Sequence, residues 1–149
     1  MKDFMNEAVK MAKKALAEDE VPIGAVIVKD DKIISKGYNK REKSQDATKH
    51  AEIIAIEKAC KKLGSWRLEN ATIFVTLEPC PMCAGAIANA RIKTLVYGAK
   101  EKSSSDNLCD AILSSNRLNH KTEIVFQENQ ECCTLLEQFF KSKRETKKS

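Results

Sequence analysis

Two cysteines three positions apart, Cys80 and Cys83, lie in the stretch TLEPCPMCAGA, each with a proline within the two residues before it. The chain has only two histidines, and one of them, His50, opens the tripeptide HAE with Glu52 two residues on. As one pattern the sequence reads H-A-E, 26 residues, then P-C-P-M-C. Two thiolates and one imidazole make three ligands for zinc. Zinc prefers four, so one position is left for water, which is the stoichiometry of a catalytic site rather than a closed structural one. A metal in such a site lowers the pKa of its water from about 15.7 to about 7. That is worth roughly 12 kcal/mol toward making the nucleophile at neutral pH. Glu52 would stand beside the metal without ligating it, placed to take a proton from the water and pass it on.

Other uses of the thiols fit less well. The first residues, MKDFMNEAVKMAKKALAEDE, lack the continuous apolar core of a signal peptide and carry Asp3 and Glu7, which transit peptides avoid. No apolar run approaches the roughly 20 residues that span a bilayer. The expected location is therefore the cytoplasm, where structural disulfides are rare. A redox couple would call for thioredoxin-like element order around the motif, which is missing. A structural zinc site would need a fourth ligand, and Cys60, Cys109, Cys132 and Cys133 show no paired metal-ligand spacing. Those four read as small buried hydrophobes.

These residues need elements to position them, and the chain supplies strands alternating with helices. Phe4, Ala8, Met11 and Ala15 recur at helical steps, predicting an amphipathic helix over 3–18. GAVIVK and KIISKGYN, separated by Asp30-Asp31, predict a hairpin. After the polar stretch KREKSQDATK, a helix is expected from HAEII to Gly64. A strand at 71–77, a helix from Pro81 to Arg91, a strand at 94–99, a helical stretch near 107–116, a strand at 122–126 and a last helix from about 130 complete the reading. A helical crossover between the last two strands implies parallel pairing. The expectation is one domain over residues 1–149, of class α/β: three layers, α/β/α, around a mixed five-stranded sheet headed by the hairpin. Both helices that begin at the HAE and PCPMC motifs would present their N-termini, whose partial positive charge lowers thiol pKa values, at the carboxyl edge of that sheet.

The 149 residues are 42% hydrophobic and 32% charged, ordinary for a globular chain, with a net charge of +5. The end, KSKRETKKS, holds five Lys or Arg against one Glu. From about 141 onward it reads as a basic tail, which suits a polyanionic partner and equally suits a solvated end with no task.

H-x-E…P-C-x-x-C is the signature of zinc-dependent nucleobase deaminases. Beyond it, EDEVPIGAVIV, GYN, KLGSWRLE, VTLEPCPMCAGAI, VYGA and LLEQFFKSKR resemble the bacterial tRNA-specific adenosine deaminases over nearly the whole chain. That resemblance implies a cytidine deaminase-like fold and hydrolytic deamination of adenosine to inosine at the wobble position of tRNA. It implies one zinc ion per subunit on His50, Cys80 and Cys83, with Glu52 as proton shuttle. It also implies that Asn39 hydrogen-bonds the target base, and that Val21 and Pro22 form a wall of the pocket. Phe140, Lys143 and Arg144 would approach the RNA. The implied partners are a tRNA anticodon loop and a second copy of the chain, with no membrane.

From the residues alone, Asn39 reads equally as a turn residue, Phe139 and Phe140 as core, Trp66 as packed beneath the sheet, and His120 carries no assignment. Two departures from the resembled pattern stand out. Ala47 replaces a common proline, leaving the loop before His50 less restrained, and the segment 100–110 has no glycine. The rival readings are a zinc deaminase of a free base or nucleoside, of guanine or cytosine type, and a non-catalytic RNA-binding subunit, for which Glu52 would have no use.

Overall fold

Asp30 and Asp31 both adopt left-handed backbone, with φ of 51° and 63°. Positive φ at both central positions matches the right-handed twist of the strands they join. They turn strand β1 (Gly24–Lys29) into strand β2 (Lys32–Tyr38), paired antiparallel with a bulge at Ile27/Val28. This hairpin heads a five-stranded sheet of order β2-β1-β3-β4-β5, in which β3 is Thr72–Val75, β4 is Thr94–Tyr97 and β5 is Glu123–Phe126. β1 and β3 pair antiparallel, while β3, β4 and β5 run parallel. The computed structural model describes residues 3–101 and 108–148, with side chains described to residue 146. The glycine-free stretch noted above thus falls, for 102–107, outside the described residues.

Alternation along the strands divides the core into two halves. Ala25, Ile27, Ile73, Val75, Leu95 and Tyr97 face helices α3 (Ala51–Leu63), α4 (Pro81–Asn89) and α5 (Leu108–Leu113). Val26, Val28 and Val96 face helices α1 (Phe4–Ala17) and α6 (Gln130–Lys148). Both faces of the sheet are covered, which is why β1 reads as a continuous apolar run rather than an alternating one. The expected three-layer arrangement with its parallel last strands is the one observed. Among the described residues no helix is long and apolar enough to cross a membrane.

Two devices anchor the ends that feed the site. α1 is capped by Asp3, whose Oδ1 accepts from the Asn6 N–H at 3.0 Å. It stops in a Schellman-type motif: Asp19 turns left-handed (φ 61°), and the Glu20 N–H reaches back to the Ala15 carbonyl at 2.9 Å. α3 ends as expected at Gly64, at φ 64°.

One expectation fails. Trp66 does not pack beneath the sheet; it is 56% exposed. It lies in the turn after α3, with the guanidinium carbons of Arg67 and Arg91 4.7 Å and 5.8 Å from its ring centroid. Two cations over the π faces stabilise the exposed indole. Within the polar stretch after the hairpin, Arg41–Ser44 forms a one-turn helix, α2. Of the two adjacent phenylalanines, Phe139 is 9% exposed and Phe140 is 45% exposed. The unassigned His120 has its Nε2 2.7 Å from the Ile92 carbonyl oxygen, a loop-tethering contact.

Candidate metal centre and its cleft

His50 and Cys80 occupy equivalent places: each is the N-cap residue of its helix, α3 and α4, and neither uses its side chain to cap. Pro81 at the first position of α4 is preorganised for the turn and has no N–H to satisfy there. Cys83 follows in the first turn, fully buried. The result brings His50, Cys80 and Cys83 together with their ligand atoms all within 4.8 Å of one another. The His50 Nδ1 lies 3.6 Å from each sulfur. A tetrahedral metal with ordinary zinc–sulfur and zinc–nitrogen bonds would hold such atoms about 3.6 Å apart. The donor set therefore fits a divalent soft-to-borderline metal without rearrangement.

The electrostatics follow from the hydrogen bonds these groups make with one another and from burial. The Cys80 thiol is pulled down to about 4, chiefly by a hydrogen bond from Cys83 and then by His50. Cys83, holding the proton it donates and buried, is pushed up. His50 is raised by its bond to Cys80. Glu52, 4% exposed in the first turn of α3, is pushed up to about 7 by burial. A carboxyl titrating near 7 can both accept and release a proton under ordinary conditions.

His50, Glu52 and Cys80 line the floor of a cleft of about 260 Å³, with Cys83 behind them, and its walls include Val21, Ile23, Asn39, Arg41, Leu77, Glu78, Glu101 and Phe140. Asn39 is 5% exposed; its Oδ1 accepts from the Arg41 N–H at 3.2 Å and its Nδ2 lies 3.5 Å from the Val21 carbonyl. It is thus a turn residue and a cleft residue at once. Val21 lines the cleft, whereas Pro22 is buried and Ile23 takes the wall position expected of it. In the loop that carries Ala47, Asp46 Oδ1 accepts from the Thr48 N–H (2.9 Å) and Oγ1 (2.7 Å), a side-chain turn standing where proline would restrain the chain.

A wider groove of about 640 Å³ adjoins the cleft, sharing Leu77, Glu101 and Phe140, and is bounded by Lys100, Leu136 and Arg144. Of the three candidate RNA residues, Phe140 and Arg144 face this groove. Lys143 does not, because its Nζ pairs with Asp19 at 2.8 Å. Sequence reasoning missed Arg41, Leu77, Glu78 and Glu101. Position two beyond Asn39 was the one available signal for Arg41. The other three carry none outside the tertiary structure.

The MafB19-like deaminase family profile matches residues 1–144. A tRNA-specific adenosine deaminase of Bacillus subtilis (strain 168) is 46% identical over 98% of this chain and 92% of its own length. A structure solved in work on A-to-I editing by tRNA:A34 deaminases superimposes with a TM-score of 0.82 at 39% identity, covering 89% of this chain and 98% of that one. A guanine deaminase structure from Bacillus subtilis is 46% identical with a TM-score of 0.65, over 67% of this chain and 66% of that one. With a deaminase profile across nearly its full length and near-full-length likeness to these enzymes, the chain belongs to the tRNA-specific adenosine deaminases within the MafB19-like deaminase family.

Proposed function

We propose that the protein hydrolytically deaminates adenosine to inosine at the wobble position of tRNA, using one zinc ion per subunit. The observation that carries the reading is the buried Glu52 carboxyl, which lines the same cleft as His50 and Cys80, with Cys83 clustered against that pair. Zinc on those three side chains would supply the Lewis acidity that makes a water molecule acidic near neutral pH. Glu52 accepts the proton that this water gives up and delivers it to N1 of adenine, which makes C6 electrophilic. The hydroxide left by that proton's departure adds to C6, Glu52 takes the remaining proton of the added hydroxyl and hands it to the amino nitrogen, and the C6–N bond breaks, so that adenosine and water become inosine and ammonia. Asn39 presents an amide to the base edge, and Val21 and Ile23 exclude water from one side. Adenine C6 is inaccessible within a stacked helix, so the nucleotide must be splayed out of a loop to enter.

Support for a polynucleotide rather than a free base comes from the adjoining groove. Its apolar floor suits neighbouring bases, and Lys100 and Arg144, which share the lining with Glu101 and Glu137, are its cations for phosphate. In this reading the chain acts as a single deaminase domain in the cytoplasm, as a homodimer, with the residues from about 141 as its basic end. The partial likeness to a guanine deaminase keeps free purines as the second reading. The experiment sets the zinc-loaded protein against an anticodon stem-loop and against free adenosine, guanine and cytidine. Inosine is read as guanosine after reverse transcription, and ammonia release is followed for the free compounds. Conversion of the stem-loop adenosine is expected; turnover of the free compounds alone would reverse the assignment.

A further inference from the structure

Of the two buried carboxylates among the described residues, Glu20 at 1% exposed is more deeply enclosed than Glu52 at 4%. The chemistry above uses only Glu52. Glu20 points into the start of the one-turn helix α2, where Oε1 accepts from the Glu42 N–H at 3.1 Å and Oε2 from the Lys43 N–H at 2.7 Å. The N-cap residue of that helix, Lys40, provides no side-chain cap of its own. A single turn is far too short to persist on its own propensity. Its position is therefore set by what grips it: Asn39 Oδ1 accepts from the Arg41 N–H, and Glu20 grips the next two amides from 22 and 23 residues away in sequence.

The two ends of this grip are the two sides of the reaction cleft. Val21 and Ile23 lie one and three residues after Glu20, and Arg41 and Asn39 one and three residues before Glu42; all four line the cleft. Glu20 is itself fixed from behind, its N–H bonded to the Ala15 carbonyl at the end of α1. The Asn39 N–H meets the Ile23 carbonyl at 3.1 Å nearer the sheet, so the walls are hinged there and bolted by the carboxylate farther out. We propose that Glu20 is a positioning residue for substrate: it sets the spacing between the Val21–Ile23 and Asn39–Arg41 walls, and so the grip on the entering base, while touching neither base nor metal. The inference rests on the cleft being the adenosine site. It goes beyond that reading in assigning affinity to a residue outside the cleft lining.

The test uses the full-length zinc-loaded protein and an adenosine-containing anticodon stem-loop. Glu20→Gln preserves shape but turns an amide N–H₂ toward one of the two donors. Losing charge-assisted acceptance there should raise KM roughly tenfold, with kcat within threefold and zinc at one per chain. In an Asn39→Ala background the same change should cost less than twofold in KM, because the wall it positions has lost its side chain. Glu20→Asp, which withdraws the carboxylate by one methylene, replaces Glu20→Gln if the latter does not fold, with the same expectations. An unchanged KM, a loss confined to kcat, full additivity with Asn39→Ala, or loss of zinc or cooperative melting in both variants would overturn the proposal. If the parent protein itself leaves the stem-loop unconverted, the functional reading has failed instead.

Discussion

The backbone of Gly37 in β2 lies against the Ala51 carbonyl so closely that a Cβ there would stand 2.5 Å from that oxygen, and 2.8 Å from the Ala55 nitrogen. Ala51 sits between His50 and Glu52, so this contact seats the turn that carries both against the sheet. Ser35, two residues earlier, adds a hydrogen bond from its Oγ to the Ala55 carbonyl at 2.8 Å. Gly37→Ala should force the first turn of α3 outward, costing about 1–3 kcal/mol by overpacking and weakening metal retention. Denaturant unfolding and metal content of the purified variant check both effects.

Glu52→Gln should retain the metal at the level of the parent while activity on the stem-loop falls by roughly 10²–10⁴, the usual worth of a positioned proton carrier. Elemental analysis and single-turnover kinetics on the same sample decide it. Substantial residual deamination with intact metal would assign the shuttle elsewhere.

The same carboxyl gives a pH-dependent stability in the metal-free protein. Its folded pKa of about 7 exceeds the ordinary 4.5. Below 4.5 the group is protonated in both states and costs nothing. Between 4.5 and 7 the unfolded chain ionises first, so stability falls as pH rises, and above 7 the loss is complete. That difference corresponds to roughly 3 kcal/mol. Chelated Glu52→Gln should therefore be more stable than the chelated parent at pH 8, and the gap should close at pH 4.5. Urea titrations at the two pH values measure it.

Thiol reactivity should follow the same electrostatics. With metal removed, Cys80, pulled down to about 4, should be the first cysteine alkylated at pH 6. Cys109 and Cys132, buried and pushed up to about 12, should react only on unfolding. Peptide mapping after brief iodoacetamide treatment reads the order, and restoring zinc should abolish the Cys80 signal.

Phe140→Ala and Arg144→Ala should weaken stem-loop binding more than Lys143→Ala does. The first two residues face the groove and Lys143 is held by Asp19. A lost stacking platform is worth about 1–3 kcal/mol, and loss of a phosphate contact at Arg144 should flatten the salt dependence of binding. Equal effects at all three positions, measured by fluorescence anisotropy across salt concentrations, would contradict this division.

The cluster of His50, Cys80 and Cys83, placed for metal binding, was legible in the sequence because coordination chemistry restricts residue type. The helix starts that aim the ligands are also local features, marked by Pro81 and by the onset of apolar periodicity after His50. The sheet was legible for a similar reason: strand alternation, the Asp30-Asp31 turn and the helical crossover are each written within a few residues. What only the tertiary structure decided were properties that depend on neighbours far along the chain. Glu20 is one of three consecutive acidic residues in EDE, and nothing local shows that it alone is enclosed. Lys143 looks as free as the lysines around it until Asp19 is brought alongside from 124 residues away. Trp66 carries the apolar area of a core residue, yet it stays 56% exposed, where two arginines from different segments meet its ring. Burial and pairing are sums over the whole packed chain, and no local window of sequence contains them.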